Sequence, residues 1–253
     1  MRKVLITGAS GGIGLETAKQ LAELGDKITL VARNQGKLKK AAEALSGSGH
    51  DMLVADLTND DDLKKVLGHL KIEKYDILIN NAGAGIYGRF NDIPLAYQLN
   101  GMHLNMDALV NLSYGFLQHA RPGDTLVNVG SLLAHSSLPG GAVYAATKSF
   151  VANFSESLWY EYKDRNIFVM GFNPGAANSD FHTNAGGDTS DFPDFVMSSV
   201  QNVAGELIKA INNRSKPRVV QGWKNRFMLF GFKLLSRKAA VNIMGRISPG
   251  MQH

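Results

Sequence analysis

Short apolar runs alternate with segments whose apolar positions recur every three or four residues along nearly the whole chain. The runs at Val4–Ile6, Lys27–Ala32, Met52–Ala55, Asp76–Asn80, Thr125–Val129, Ile167–Phe172 and Arg218–Val220 predict seven strands. Helical spacing begins at Ile13, Thr17, Leu21 and Leu24, and returns near Gly36–Leu45, Asp60–Leu70, Ala96–His119, Ala142–Lys163 and Gln201–Asn212. Strand and helix in regular alternation predict an α/β fold: a doubly wound parallel sheet with helices on both faces and right-handed crossovers. No internal repeat or low-complexity linker interrupts it, so residues 1–221 read as one domain.

Residues 222–253 break the pattern and are expected to form a helical extension packed on the same domain. Trp223, Phe227, Phe230 and Leu234 form a helical stripe, widened by Met228, Phe232 and Leu235 and interrupted by Lys224, Arg226, Lys233 and Arg237. From Leu207 onward there are ten basic residues and no acidic one, whereas the rest of the chain is net acidic. Such a segment is expected to form one or two amphipathic helices over the rim of a cleft. A subunit contact or an anionic bilayer surface suits it as well. Nucleic acid is not expected, because no recognised binding module accompanies the charge.

The chemistry begins at the first strand. Val4–Ile6 runs into Thr7-Gly8-Ala9-Ser10-Gly11-Gly12-Ile13-Gly14, with a helix directly after it. A strand, a glycine-rich turn and a helix N-terminus bring free backbone N–H groups to one point, which suits a phosphate. An ordinary βα turn with spare glycines has the same pattern. After the second strand, Ala32-Arg33-Asn34 stands where an acidic residue normally holds a ribose diol. Arg33 can pair instead with a 2′-phosphate, which points to NADP(H), although a solvent-facing arginine also fits there. Asp56 is placed to meet an adenine or to cap a helix. Asn80-Asn81-Ala82-Gly83 leaves room at the same sheet edge. Thirteen residues after Ser131 comes Tyr144-Ala145-Ala146-Thr147-Lys148, with tyrosine and lysine on one helical face. A nearby ammonium is expected to lower the phenol's pKa and make it a proton donor and acceptor near neutral pH.

In order and spacing, these motifs, with Asn105 and Asn173-Pro174-Gly175, resemble the short-chain dehydrogenases/reductases over roughly residues 1 to 220. The adjacent Gly11 and Gly12 also fit the loop of the extended branch. The Asn-Asn-Ala-Gly segment and the modest length favour the shorter one. The resemblance implies a single Rossmann-type domain and carbonyl–alcohol interconversion by hydride transfer. It implies Tyr144 as general acid or base, Lys148 lowering its pKa and bonding the nicotinamide ribose, Ser131 on the substrate oxygen, and Asn105 holding a relay water. It places the cofactor on Gly8, Ser10, Gly11, Gly12, Ile13, Gly14, Arg33, Asn34, Asp56, Leu57, Asn81, Ala82, Gly83, Tyr144 and Lys148. Pro174, Gly175, Ala177 and Ser179 are implied beside the nicotinamide. Association through the helices near Ala96–His119 and Ala142–Lys163 is implied too.

Substrate choice is expected in Ala176–Val200, a lid with Phe181, Phe192, Phe195, Met197 and Gly186-Gly187, in which no charged residue announces itself as an anchor. An apolar or aromatic carbonyl compound follows as the expected substrate. The absence of cysteine excludes disulfides, thiolate metal sites and cysteine nucleophiles, and no other metal site is expected. No apolar run approaches the roughly 20 residues of a membrane span. Met1-Arg2-Lys3 leads straight into the first strand with no signal-peptide core, so a cytoplasmic location is expected, with peripheral membrane contact only through the tail. A non-catalytic NADP sensor needs the glycine loop but not the Ser–Tyr–Lys set. A lipid-surface interaction protein needs only the tail.

Overall fold

The structure is a computed structural model that describes residues 1–187 and 197–251. The strands are β1 (Lys3–Thr7), β2 (Lys27–Ala32), β3 (Asp51–Val54), β4 (Ile77–Asn80), β5 (Thr125–Val129), β6 (Phe168–Asn173) and β7 (Arg218–Val220). They form one parallel sheet in the order β3-β2-β1-β4-β5-β6-β7. The helices are α1 (Gly12–Glu23), α2 (Gln35–Glu43), α3 (Asp60–Ile72), α4 (Leu95–Met102), α5 (Leu109–His119), α6 (Ala142–Tyr162), the short α7 (Phe181–Asn184), α8 (Val200–Asn213), α9 (Trp223–Lys233) and α10 (Arg237–Arg246).

Period-two alternation decides which layer each strand residue joins. Val4 and Ile6 of β1, with Ile77, Ile79, Val127 and Met170, face α1, α2 and α8. Leu5, Leu78, Leu126 and Val169 point the other way, onto α3, α5 and α6. Leu57, expected at the cofactor, is buried in this second layer and packs in the core. Both faces are covered, which is why the strands read as nearly continuous apolar runs. Caps mark where helices start: Asn34 Oδ1 accepts from Lys37 N at 2.8 Å, and Ser236 Oγ accepts from Ala239 N at 3.3 Å.

The predicted helix Ala96–His119 is continuous in space but not uniform. Between α4 and α5, residues His103–Ala108 form a π-helical segment centred near Asn105. The chain order reverses between β1 and β4, so a crevice opens at the carboxyl ends of these strands. Phe192 and Phe195 lie outside the described residues.

Candidate active site

The turn after β1 is built by close packing. Gly8 has φ +66°, and a Cβ there would stand 2.8 Å from Ala82 Cα. At Gly14 a Cβ would meet Asn81 Nδ2 at 2.5 Å and the Gly8 carbonyl oxygen at 2.6 Å, so this glycine lets α1 close onto β1. Asn81 Nδ2 donates to the Thr7 carbonyl at 3.0 Å, and Thr7 Oγ1 accepts from the backbone N–H groups of Asn81 and Ala82 at 3.0 Å. The turn is thereby clamped to the β4 loop. Gly11 differs: nothing lies within 4 Å of a Cβ built there, and it borders the cleft. A Cβ would fill space that a phosphate can use.

The cleft holds about 470 Å³. Gly8, Ser10, Gly11, Gly12 and Ile13 line one end, and Asn81, Ala82 and Gly83 its floor. Ser131, Tyr144, Lys148, Pro174, Gly175, Ala177 and Ser179 also line the cleft, and Ser179 lies beside the glycine turn, 3.5 Å from a Cβ built on Gly12. The remaining expected residues lie behind this lining or outside it. Arg33 is exposed just past β2, and Asn34 spends its side-chain oxygen on the α2 cap. Asp56 accepts from Thr58 N at 3.0 Å and Thr58 Oγ1 at 2.7 Å. Burial pushes the Asp56 carboxyl upward, but the Thr58 bonds and the nearby Arg33 charge outweigh it and hold the carboxyl below its usual range.

Asn105 is buried behind the lining. Its Oδ1 accepts from Ala84 N at 2.9 Å, and its Nδ2 donates to the Ala84 carbonyl at 2.9 Å and to Thr147 Oγ1 at 3.1 Å. The side chain ties the β4 loop to α6, with both Nδ2 hydrogens spent on these bonds. Gly83 keeps the space open: a Cβ there would be 3.1 Å from Asn105 Oδ1 and 3.3 Å from Lys148 Nζ.

Tyr144 and Lys148 are fully buried on one face of α6. Burial raises the phenol to about 12, against an opposing hydrogen bond with Ser131. Burial also lowers the Lys148 ammonium to about 8. Burial is the larger influence on both groups. Lys148 Nζ lies 5.9 Å from the Tyr144 ring centroid and donates instead to the Val129 carbonyl at 3.0 Å.

Three cleft residues, Lys37, Tyr87 and His182, escape sequence reasoning. Lys37, on the first turn of α2, lines the phosphate end, but its exposed helix carries three lysines with nothing to single one out. Tyr87, from the irregular segment after β4, packs edge-on to Tyr144 at 6.0 Å and stacks on His182 at 6.3 Å. Phe181 lies 5.9 Å from Tyr144 and meets His182 edge-on at 5.6 Å. Phe181 alone of this group was expected, as part of the lid. The tail adds Met228, Met244, Ile247 and Pro249 to the lining. Asn225 of α9 is buried against Gly175, where a Cβ would meet its Nδ2 at 2.5 Å.

A nucleotide-sized cleft at the sheet's switch point, a glycine turn open to phosphate and a buried Ser–Tyr–Lys group define a dinucleotide-dependent oxidoreductase site. The family model for short chain dehydrogenases matches residues 2–189, and the chain belongs to that family. It is 30% identical over 193 residues to sulfoacetaldehyde reductase 2 of Chromohalobacter salexigens, covering 73% of this chain and 77% of that one. It is also 30% identical to an NADP-dependent 3-hydroxy acid dehydrogenase of Schizosaccharomyces pombe, covering 71% and 73%. Among solved structures, a short-chain dehydrogenase from Sphingobium yanoikuyae in complex with NADPH superposes with a TM-score of 0.83 at 30% identity, over 92% of this chain and 94% of that one.

Proposed function

We propose that the protein is an NADP(H)-dependent oxidoreductase that interconverts a carbonyl and an alcohol on an apolar substrate, with Tyr144 as the proton donor and acceptor. The observation that carries this reading is the buried Ser131–Tyr144–Lys148 group, which opens into a cleft walled by Leu133, Leu138, Phe181, Met228 and Met244. When bound, the nicotinamide supplies hydride transfer to or from the carbonyl carbon. The glycine turn would hold the diphosphate on its N–H groups, and Lys148 would hold the nicotinamide ribose. Arg33 and Lys37 bring positive charge to the phosphate end, where no carboxylate replaces Ala32 to hold a ribose diol or repel a 2′-phosphate.

The chain's own groups manage the proton. With its phenol near 12, Tyr144 is protonated at neutral pH and so is a hydrogen-bond donor to a carbonyl oxygen. Ser131, hydrogen-bonded to Tyr144, gives that oxygen a second donor. As charge develops on the oxygen, the phenol proton passes to it. In the oxidative direction the same phenol, as phenolate, takes the alcohol proton. Tyr87, Phe181 and the tail methionines keep the site dry. The exposed aromatics Tyr114 on α5 and Tyr160 on α6 support pairing of two chains through these helices. Sedimentation velocity of a Tyr114→Glu/Tyr160→Glu variant tests that pairing.

The functional test follows NADPH oxidation against a panel of carbonyl compounds, from aldehydes carrying anionic groups to bulky ketones. The reading expects turnover of apolar or aromatic ketones with NADPH preferred over NADH. Preference for anionic aldehydes, or equal use of both cofactors, contradicts it.

A further inference from the structure

Helix α9 has two unlike sides. Asn225 is buried, Met228 lines the cleft, and Phe232 packs against the apolar cluster that holds Tyr87 and Tyr144. The opposite side carries Trp223, Phe227, Phe230 and Leu234, spaced four, three and four residues apart. At about 100° per residue these four fall within roughly 60° of arc. Trp223, Phe227, Phe230 and Leu234 are 68%, 73%, 61% and 76% exposed, so the tryptophan and two of the three phenylalanines of the helix point into solvent. Scattered exposed hydrophobics are ordinary, but four in one stripe are not. The stripe is bordered by Lys224, Arg226 and Lys233, all exposed, and is followed by Arg237 and Lys238. No acidic residue occurs anywhere from Leu207 to the end of the chain.

We infer that α9 is a docking face for an anionic bilayer surface, lying in the headgroup plane with its four apolar side chains inserted and its lysines and arginines on lipid phosphates. The charge selects this occupant. A second copy meeting the same stripe would set basic flank against basic flank with no carboxylate between them, which opposes association. An anionic headgroup layer matches both the stripe and its border. No helix among the described residues is long and apolar enough to cross a membrane, so the contact is peripheral. The inference does not depend on which substrate the cleft takes.

The test is co-sedimentation of the full-length protein with vesicles of phosphatidylcholine, with and without phosphatidylserine. Binding is expected only with phosphatidylserine, strongest at low salt and lost as salt rises. Phe227→Ala/Phe230→Ala should weaken it by about a hundredfold or more, as the transfer free energy of two aromatic side chains requires. Lys224→Gln and Lys233→Gln should weaken it about fivefold each. All these variants should keep the wild-type thermal midpoint, because the altered side chains face solvent. Failure to sediment with phosphatidylserine vesicles at low salt overturns the inference. So does undiminished vesicle binding by the Phe227→Ala/Phe230→Ala variant. If that variant instead turns a dimer into a monomer in sedimentation velocity, the stripe is a subunit contact and the bilayer assignment is wrong.

Discussion

Lys148 is held at an energetic disadvantage by its own site. Its folded value, about 8, lies below the 10.5 of a free lysine, so the charged form is disfavoured in the native state. The penalty is complete below about pH 8 and is relieved as pH rises toward 10.5, because the unfolded chain binds the extra proton in that window. Lys148→Met, which keeps the stem and removes the charge, should therefore stabilise the protein at neutral pH by about 1–3 kcal/mol while crippling turnover. A thermal midpoint at or below that of the wild type contradicts the burial argument. The pH profile follows from the same pair. Reduction should be flat through neutrality and decline above about pH 8 as Lys148 loses its charge, whereas alcohol oxidation should rise with pH as phenolate becomes available. At the other end of the cleft, Arg33→Ala should weaken NADPH binding about ten- to a hundredfold and leave NADH nearly unchanged. Ala32→Asp should shift preference toward NADH, and dissociation constants for both cofactors check both substitutions. The residues carrying these predictions were legible because their chemistry comes at fixed spacings on predicted elements. Tyr87 and His182 were not, since they sit on irregular chain and a short helix where no periodicity marks a side chain as facing a cleft.

Two neighbouring glycines separate packing from ligand binding at the level of the βα unit. Gly14→Ala would push a methyl group into Asn81 and the Gly8 carbonyl, so α1 must shift from β1 and stability should fall by about 1–3 kcal/mol. Gly11 is extended, at φ −176°, and its Cβ would meet nothing. Gly11→Ala should thus keep the wild-type thermal midpoint yet raise the NADPH dissociation constant. Equal loss of stability in both variants would mean that the turn is only a packing device. Strand positions were readable to within a residue or two because both faces of the sheet are covered, leaving nearly unbroken apolar runs. The π-helical segment around Asn105 was not readable. The apolar spacing continues through it, and the departure shows only in the backbone.

At the scale of the whole molecule, the tail completes the cleft rather than merely leaning on it. Ser248 Oγ donates to the Pro139 carbonyl, and Gly250 sits so close to Gly140 and Gly88 that a Cβ would overlap both. These contacts fix the chain just before α6, the helix that carries Tyr144. A chain ended before Ile247 should raise KM for an apolar substrate about tenfold while leaving NADPH affinity within twofold. An unchanged KM would free the tail from the site. Amphipathic helices in the tail could be expected from its stripe of aromatics. That Met228, Met244 and Asn225 turn inward while Trp223 and Phe227 turn outward could not, because the apolar residues occupy both sides of the helix and only packing assigns them. The central claim, that a buried phenol moves the proton in an NADP(H)-dependent carbonyl reduction, has one direct measurement. Turnover of the best ketone and the NADPH dissociation constant are determined on the same preparations of wild type and Tyr144→Phe. The expected result is a loss of turnover of about a thousandfold or more, with NADPH affinity within twofold of wild type. A Tyr144→Phe protein that keeps a tenth or more of wild-type turnover would contradict it.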